Sequence, residues 1–205
     1  MSSTVKTDRI PKAEQSRRTR KLIIDTGIAC IAELGLAQTS MQKISRRAGI
    51  SRGPLHYHFE DRNDLLGAIA EALPQNIPSD VMARLVGSKT LEDRLHTFLD
   101  IAVEQHLGSH HLVAIELLAA ARRDEALAAA VLPHIAESEK RIDKMWLQYG
   151  KQLGWDEAKM VAFRTLLVAS LRGLAVDPNL RSNPAQHEAA VTLLKKVFLS
   201  FAGVS

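Results

Sequence analysis

The side chains best equipped for chemistry lie in one short stretch, from Thr39 to Arg62. Thr39 and Ser40 offer hydroxyls, Arg52 and Arg62 guanidinium groups, His56 and His58 imidazoles, and Tyr57 a phenol. They do not form a nucleophile–base–acid set. What they share is hydrogen bonding to anionic oxygens and to the edges of planar rings. An arginine forks onto O6 and N7 of guanine, and an apolar surface such as the Pro54 ring meets a thymine methyl. Neutral imidazoles, hydroxyls and a phenol donate to phosphate oxygens at little charge cost. Gly53 permits close backbone approach to a partner. The chemistry that fits is recognition of a nucleic-acid duplex, not bond making.

Two short helices must position these groups. Ser40 caps a helix over 41–48, and Gly49 stops it. Ser51 then caps a helix over 52–59, with Pro54 early enough to lose no intrahelical bond. Ile44, Ala48, Ile50 and Leu55 are spaced to pack the pair together, with small Ala48 at the crossing. A helix over 17–34 precedes them, ended by Gly35, and Asp61 caps a fourth helix with Asp64 in its first turn.

Helical periodicity continues almost throughout, and strand alternation and Asn-Gly or Asp-Gly hairpin turns are missing. The stretch 74–88 is ambiguous: Pro74, Pro78 and Gly87 either end the fourth helix near Leu73 or let it resume over 80–86. Further helices follow over 90–107, 111–123 and from Asp124 towards Leu153. In that last helix Pro133 is either a kink or a first-turn residue after a break. Asp156 caps a penultimate helix, and Asn183-Pro184 opens the last. The reading is all-α with about nine helices. It divides into a flexible basic arm over 1–16 (Lys6, Arg9, Lys12), a helix-turn-helix module over 17–66 and a larger helical remainder over 67–205.

Charge follows the same division. Residues 1–66 hold twelve Lys/Arg against seven Asp/Glu, a net +5, whereas the remainder holds fifteen against sixteen, a net −1. A basic module on a near-neutral body is the footprint of a polyanion binder, and Arg17, Arg18, Arg20 and Lys21 would add phosphate contacts. The single cysteine, Cys30, excludes an internal disulfide and reads as a buried inert thiol. The N-terminus reads as no secretory signal, and the most apolar stretch is broken by Arg164 and Arg172. A cytoplasmic protein with no membrane partner is expected. With no glycine-rich phosphate loop, no Gly-x-Ser-x-Gly and no His-Glu-x-x-His, the sequence predicts no enzyme, no cofactor and no metal.

The motif Thr39-Ser40, Ile44-Ser45, Ala48-Gly49-Ile50-Ser51, Arg52-Gly53, Leu55-His56-Tyr57-His58-Phe59 and Arg62-Asn63-Asp64-Leu65-Leu66 resembles the TetR family of bacterial repressors. The match covers roughly residues 17–72. His56 stands where the family usually has tyrosine, and Pro54 where threonine, alanine or serine is common. The resemblance implies that Thr39, Ser40, Arg52, Gly53, His56, Tyr57, His58 and Arg62 contact double-stranded operator DNA; Pro54 joins them on its own chemistry, as a ring placed to meet a thymine methyl. The resemblance also implies a homodimer through the last two helices, and release of the operator by a small molecule.

Two apolar stripes in the remainder suit such pairing: Met160, Phe163, Leu167, Leu171 and Leu174, then Val191, Leu194, Phe198 and Phe201. A ligand pocket enclosed by the central helices would be lined by His111, Ile115, Leu118, Met145, Trp146, Tyr149 and Phe163, favouring a largely apolar effector. His106, His110 and His111 read as a solvated loop rather than a metal site, because Gly108 interrupts them. Glu137, Glu139 and Asp143 read as surface charge.

Overall fold

The computed structural model describes residues 11–73, 90–177 and 182–203, with Arg84 and Gly87 between the first two segments. Lys6 and Arg9 of the arm, and the proposed resumption over 80–86 apart from Arg84, lie outside the described residues. Among the described residues the chain forms nine helices and no strand: α1 (Lys12–Leu34), α2 (Met41–Ala48), α3 (Arg52–His58), α4 (Arg62–Ala72), α5 (Leu91–Leu107), α6 (Ser109–Ala121), α7 (Glu125–Gln152), α8 (Glu157–Val176) and α9 (Pro184–Phe201). None is long and apolar enough to cross a membrane.

Capping side chains set most of the boundaries. Ser40, Asp61, Thr90, Asp124, Asp156 and Asn183 each accept the backbone N–H three residues on, satisfying a donor that has no intrahelical partner. Thr90 and Asp93 form a full capping box. α1 begins at Lys12 rather than Arg17. Its added turn is held by Glu14, which accepts from Arg17 at 2.7 Å and from Arg18 at 2.9 Å, spacings that place the partners on one helical face. α7 runs through Pro133 without a break; the ring there removes the N–H that Ala129 would otherwise accept.

Two apolar cores hold the chain together. The first joins Ile23, Ile31, Ile44, Leu55, Phe59 and Ile69 of the N-terminal helices to Val113 and Leu117 of α6 and to Leu127 and Val131 of α7. The N-terminal module is therefore not self-contained, because its core crosses residue 66 into the remainder. Gly67 makes that crossing close: a Cβ there would sit 3.0 Å from the Ala130 carbonyl oxygen. The second core joins Leu95, Phe98 and Leu99 of α5 to Trp146 and Tyr149 of α7, Met160, Phe163, Leu167 and Leu171 of α8, and Phe198 and Leu199 of α9.

Burial corrects most of the expected pairing stripes. Met160, Phe163, Leu167, Leu171, Val191 and Phe198 are buried within the chain, so they are its own core; Leu174 and Leu194 are partly buried against it, and Phe201, at 52% exposure, stays outward. A different set stands outward on the same two helices, including Leu166 at 60% exposure, Leu193 at 63% and Val197 at 56%.

Candidate nucleic-acid interface and ligand cavity

The turn between α2 and α3 is built on Gly49, whose φ of 67° and ψ of 26° lie in the left-handed region open to glycine. Ile44 and Leu55 are almost fully buried across this turn, which fixes which face of α3 points away. That outer face carries Arg52, Gly53, Pro54, His56 and Tyr57, all exposed, with Tyr57 at 79%. Among the described residues, Arg52 and His56 have no hydrogen-bond or ion-pair partner. A side chain at Gly53 would meet nothing within 4 Å, so the chain's own packing does not require glycine there. His58 is half-buried, edge-on to Tyr57 with ring centroids 5.1 Å apart.

Other expected contact residues are engaged internally. Thr39 is buried and donates its hydroxyl to the Gly35 carbonyl at 2.9 Å, so it braces the turn after α1 rather than facing outward. Ser40 is exposed and its oxygen accepts from Lys43 N–H at 3.2 Å. Arg62 is half-buried and donates to the Leu36 carbonyl at 2.9 Å. Arg17 and Arg18 pair with Glu14, and Lys21 pairs with Asp25 at 2.6 Å. Arg47 forks onto Glu33 at 2.5 and 2.6 Å and holds that carboxyl below its ordinary range. Arg20 lies over the Phe59 ring, 5.2 Å from its centroid. Exposed ion pairs of this kind contribute little to stability, because water screens them, and they yield readily to a phosphate. Lys43, Arg46 and Arg52 carry no ion pair among the described residues.

A second feature lies behind the module. Helices α4 to α8 enclose a cavity of about 340 Å³. His111, Ile115, Leu118, Met145, Trp146 and Tyr149 line it. Phe163 does not: it is buried against Trp155 and Phe198, with centroids 5.0 and 4.8 Å away. The reason is helical phase. Arg172, which does line the cavity, lies two and a half turns beyond Phe163 and so on the opposite face of α8. Phe98 forms the aromatic wall, stacked on Tyr149 at 4.3 Å and edge-on to Trp146 at 4.4 Å. Burial pushes the Tyr149 phenol up to about 12, and its hydroxyl donates to the Arg94 carbonyl at 2.8 Å.

One corner of the cavity is polar. Arg172 donates through Nη2 to Glu139 at 3.1 Å and through Nε to His111 Nε2 at 3.4 Å. Arg164 bonds the second Glu139 oxygen and reaches Asp143 at 2.6 Å. His106 and His111 stand with ring centroids 4.6 Å apart, and His106 Nδ1 lies 2.7 Å from the Ala102 carbonyl. Arg172 can only donate, so His111 accepts at Nε2 and carries its proton on Nδ1. Burial, then His106, then Arg172 push the His111 imidazole down to about 3, and burial also lowers His106 and His110. The three histidines are thus partly buried cavity residues on α5 and α6, not a solvated loop. Glu139 and Asp143 are partners of the two arginines, not idle surface charge. Among the described residues no His/Cys/Asp/Glu group of three is placed to hold a metal. Sequence reasoning missed Arg172, His106 and Glu139. The available signal was the two arginines interrupting the apolar run of α8.

Comparison with known proteins places these features in a family. The profile of the bacterial regulatory proteins of the tetR family matches residues 23–69, the span from within α1 to within α4. The chain is 30% identical over 167 residues to the HTH-type transcriptional regulator CymR of Pseudomonas putida, covering 80% of this chain and 81% of that one. In fold it is similar to the fatty acid degradation regulator FadR from Bacillus halodurans, with a TM-score of 0.63 at 19% identity, covering 88% of this chain and 94% of that one. A transcriptional regulator from Rhodococcus sp. gives a TM-score of 0.63 at 18% identity, over 91% of this chain and 98% of that one. Because the likeness to a curated regulator extends through the cavity helices as well as the helix-turn-helix, this chain belongs to the TetR family and is a transcriptional regulator.

Proposed function

We propose that the regulator is a repressor that binds palindromic operator DNA as a homodimer and is released when a small, largely apolar molecule occupies the cavity. The observation that carries the DNA reading is the outer face of α3. Arg52 and His56 stand exposed without partners, while the apolar side of the helix is sealed by Leu55. With α3 in the major groove, Arg52 reaches base edges, and Ser40, Tyr57, Lys43 and Arg46 reach phosphates on either side.

A two-fold operator calls for a two-fold protein, with half-sites spaced by whole turns of the duplex. The outward apolar residues of α8 and α9, Leu166, Leu193 and Val197, suit a four-helix pairing with a second copy. The cavity's aromatic wall suits an apolar body, and the corner of Arg172, Glu139 and His111 suits a single polar end. A ligand that prefers the state with the wrong separation of the two α3 helices lowers operator affinity by its differential binding energy. The protein would act in the cytoplasm, alongside its DNA.

Selection of duplexes from a random library, followed by binding at increasing salt, tests the reading. The expected result is an inverted repeat whose affinity falls steeply with salt. No selected duplex, or a flat salt response, would sink it. A thermal-shift screen of small apolar molecules then identifies the effector class, since a bound ligand stabilises the folded chain by mass action.

A further inference from the structure

We infer that Glu116 is the positioning residue through which the cavity acts on the DNA-facing module, by way of the Leu36 peptide. This rests on the operator-binding reading above and adds the contact that would transmit occupancy. α6 stands between the two features. His111, Ala114, Ile115 and Leu118 line the cavity, whereas Val113 and Leu117 belong to the core shared with α1. Glu116 follows Ile115 directly, and its Oε2 accepts the Leu36 N–H at 3.2 Å, across 80 residues of sequence.

Leu36 sits in the short connection between α1 and α2 and is almost fully buried. Gly35 ends α1 with φ 80° and ψ 159°, an extended positive-φ conformation open to glycine, so the next N–H leaves the helix and needs another acceptor. Glu116 supplies it from outside the module. The Leu36 carbonyl accepts on its other side from Thr39 N–H at 3.2 Å and from Arg62 Nη2 at 2.9 Å. An anion thus meets the donor of this residue and a cation meets its acceptor, and both bonds are charge-assisted. Thr39 immediately precedes the cap of α2, and Arg62 is the first residue of α4. From Glu116, next to the cavity-lining Ile115, three hydrogen bonds through Leu36 therefore reach the start of α2, which carries α3, and the start of α4, which carries the cavity residue Ala70. A helix is stiff over one residue, so an occupant that displaces Ile115 displaces Glu116 with it.

A mutant cycle tests this without the natural effector. Ala114→Trp fills the cavity from α6 and serves as the stand-in for occupancy. Operator affinity is measured on a duplex selected with the wild-type chain. With Glu116 in place, Ala114→Trp is expected to weaken operator binding about tenfold, within the roughly 5–150-fold range of such couplings. In the Glu116→Ala background the same filling is expected to cost no more than about twofold. Glu116→Gln, whose amide oxygen accepts the same N–H, is expected to restore most of the effect. Hydrogen exchange at the Leu36 amide gives a second readout, rising in Glu116→Ala and in Ala114→Trp. If Ala114→Trp does not fold, Ile115→Phe adds bulk from the same wall and carries the same cycle. Equal losses in both backgrounds would make Glu116 a structural contact only and overturn the proposal. So would a filled cavity that leaves operator binding of the otherwise native chain unchanged. A wild-type chain that selects no duplex would instead fell the operator reading, and this proposal with it.

Discussion

Among the described residues, an arginine and a histidine share the outer face of α3 and another pair share the cavity corner, in opposite environments. On α3, Arg52 and His56 face solvent and bond to nothing among the described residues. In the cavity corner, Arg172 bonds both His111 and Glu139, and Glu139 is shared with Arg164. Water stabilises an exposed cation, so Arg52 stays free for an external anion. Arg172 at 38% exposure and Arg164 at 19% are partly shielded from water, and each finds an anionic partner within the chain; a charge shielded without one would be destabilising. The first arrangement favours association with a polyanion and makes it sensitive to salt. The second favours selection by shape, since a ligand must fit around groups that are already bonded to one another.

The largest expected effects separate inner from outer apolar residues on α9. Phe198 packs edge-on against Phe163 at 4.8 Å. Phe198→Ala is expected to cost about 3–5 kcal/mol of folding stability in urea denaturation. Leu193→Glu with Val197→Glu, one face over and more than half exposed, is expected to change monomer stability by less than about 1 kcal/mol while yielding monomers in sedimentation. A dimer that survives the double substitution would move the interface off this face.

On the DNA side, Arg52→Ala is expected to weaken operator binding by about 1–3 kcal/mol and to relax base preference at one position. Lys43→Ala is expected to weaken all duplexes alike and to reduce the salt slope by about one. An unchanged footprint with Arg52→Ala would take Arg52 off the base edges. A base-specific loss with Lys43→Ala would erase the division between reading and clamping.

The two regions were unequally legible in sequence. The helix starts are written in local residues: Ser40, Asp61, Asp156 and Asn183 each cap the helix their position predicts, and Asp124, expected only to begin its helix, caps it too. The outer face of α3 follows from Gly49 and Leu55 alone. The cavity corner does not, because Arg172, His111 and Glu139 come from three helices, and no local rule brings them together. Phe163 and Phe198 show the same limit. Both carry the right periodicity, but period alone cannot say whether a helical stripe meets its own chain or a second copy. Leu36 and Glu116 are further apart still, joined only by how α6 lies across α1.

The smallest expected effect probes the cavity corner by pH. The folded chain holds His111 neutral, with its imidazole pushed from the ordinary 6.5 down to about 3, chiefly by burial and then by His106 and Arg172. The unfolded chain therefore takes up a proton near pH 6.5 that the folded chain refuses. Stability from this group is complete above that pH and falls as pH drops from about 6.5 towards 3. Each unit of that fall removes at most about 1.4 kcal/mol, a ceiling that partial exposure of the ring lowers. His106 and His110 are lowered in the same direction by burial, so they add to the slope. Urea denaturation at pH 7.5 and 5.0 is expected to show a loss of stability in the wild-type chain and a smaller loss in His111→Asn. Equal losses would mean that water reaches the imidazole freely. The contrast between a solvated reading face and a desolvated cavity corner would then fail at the residue meant to exemplify it.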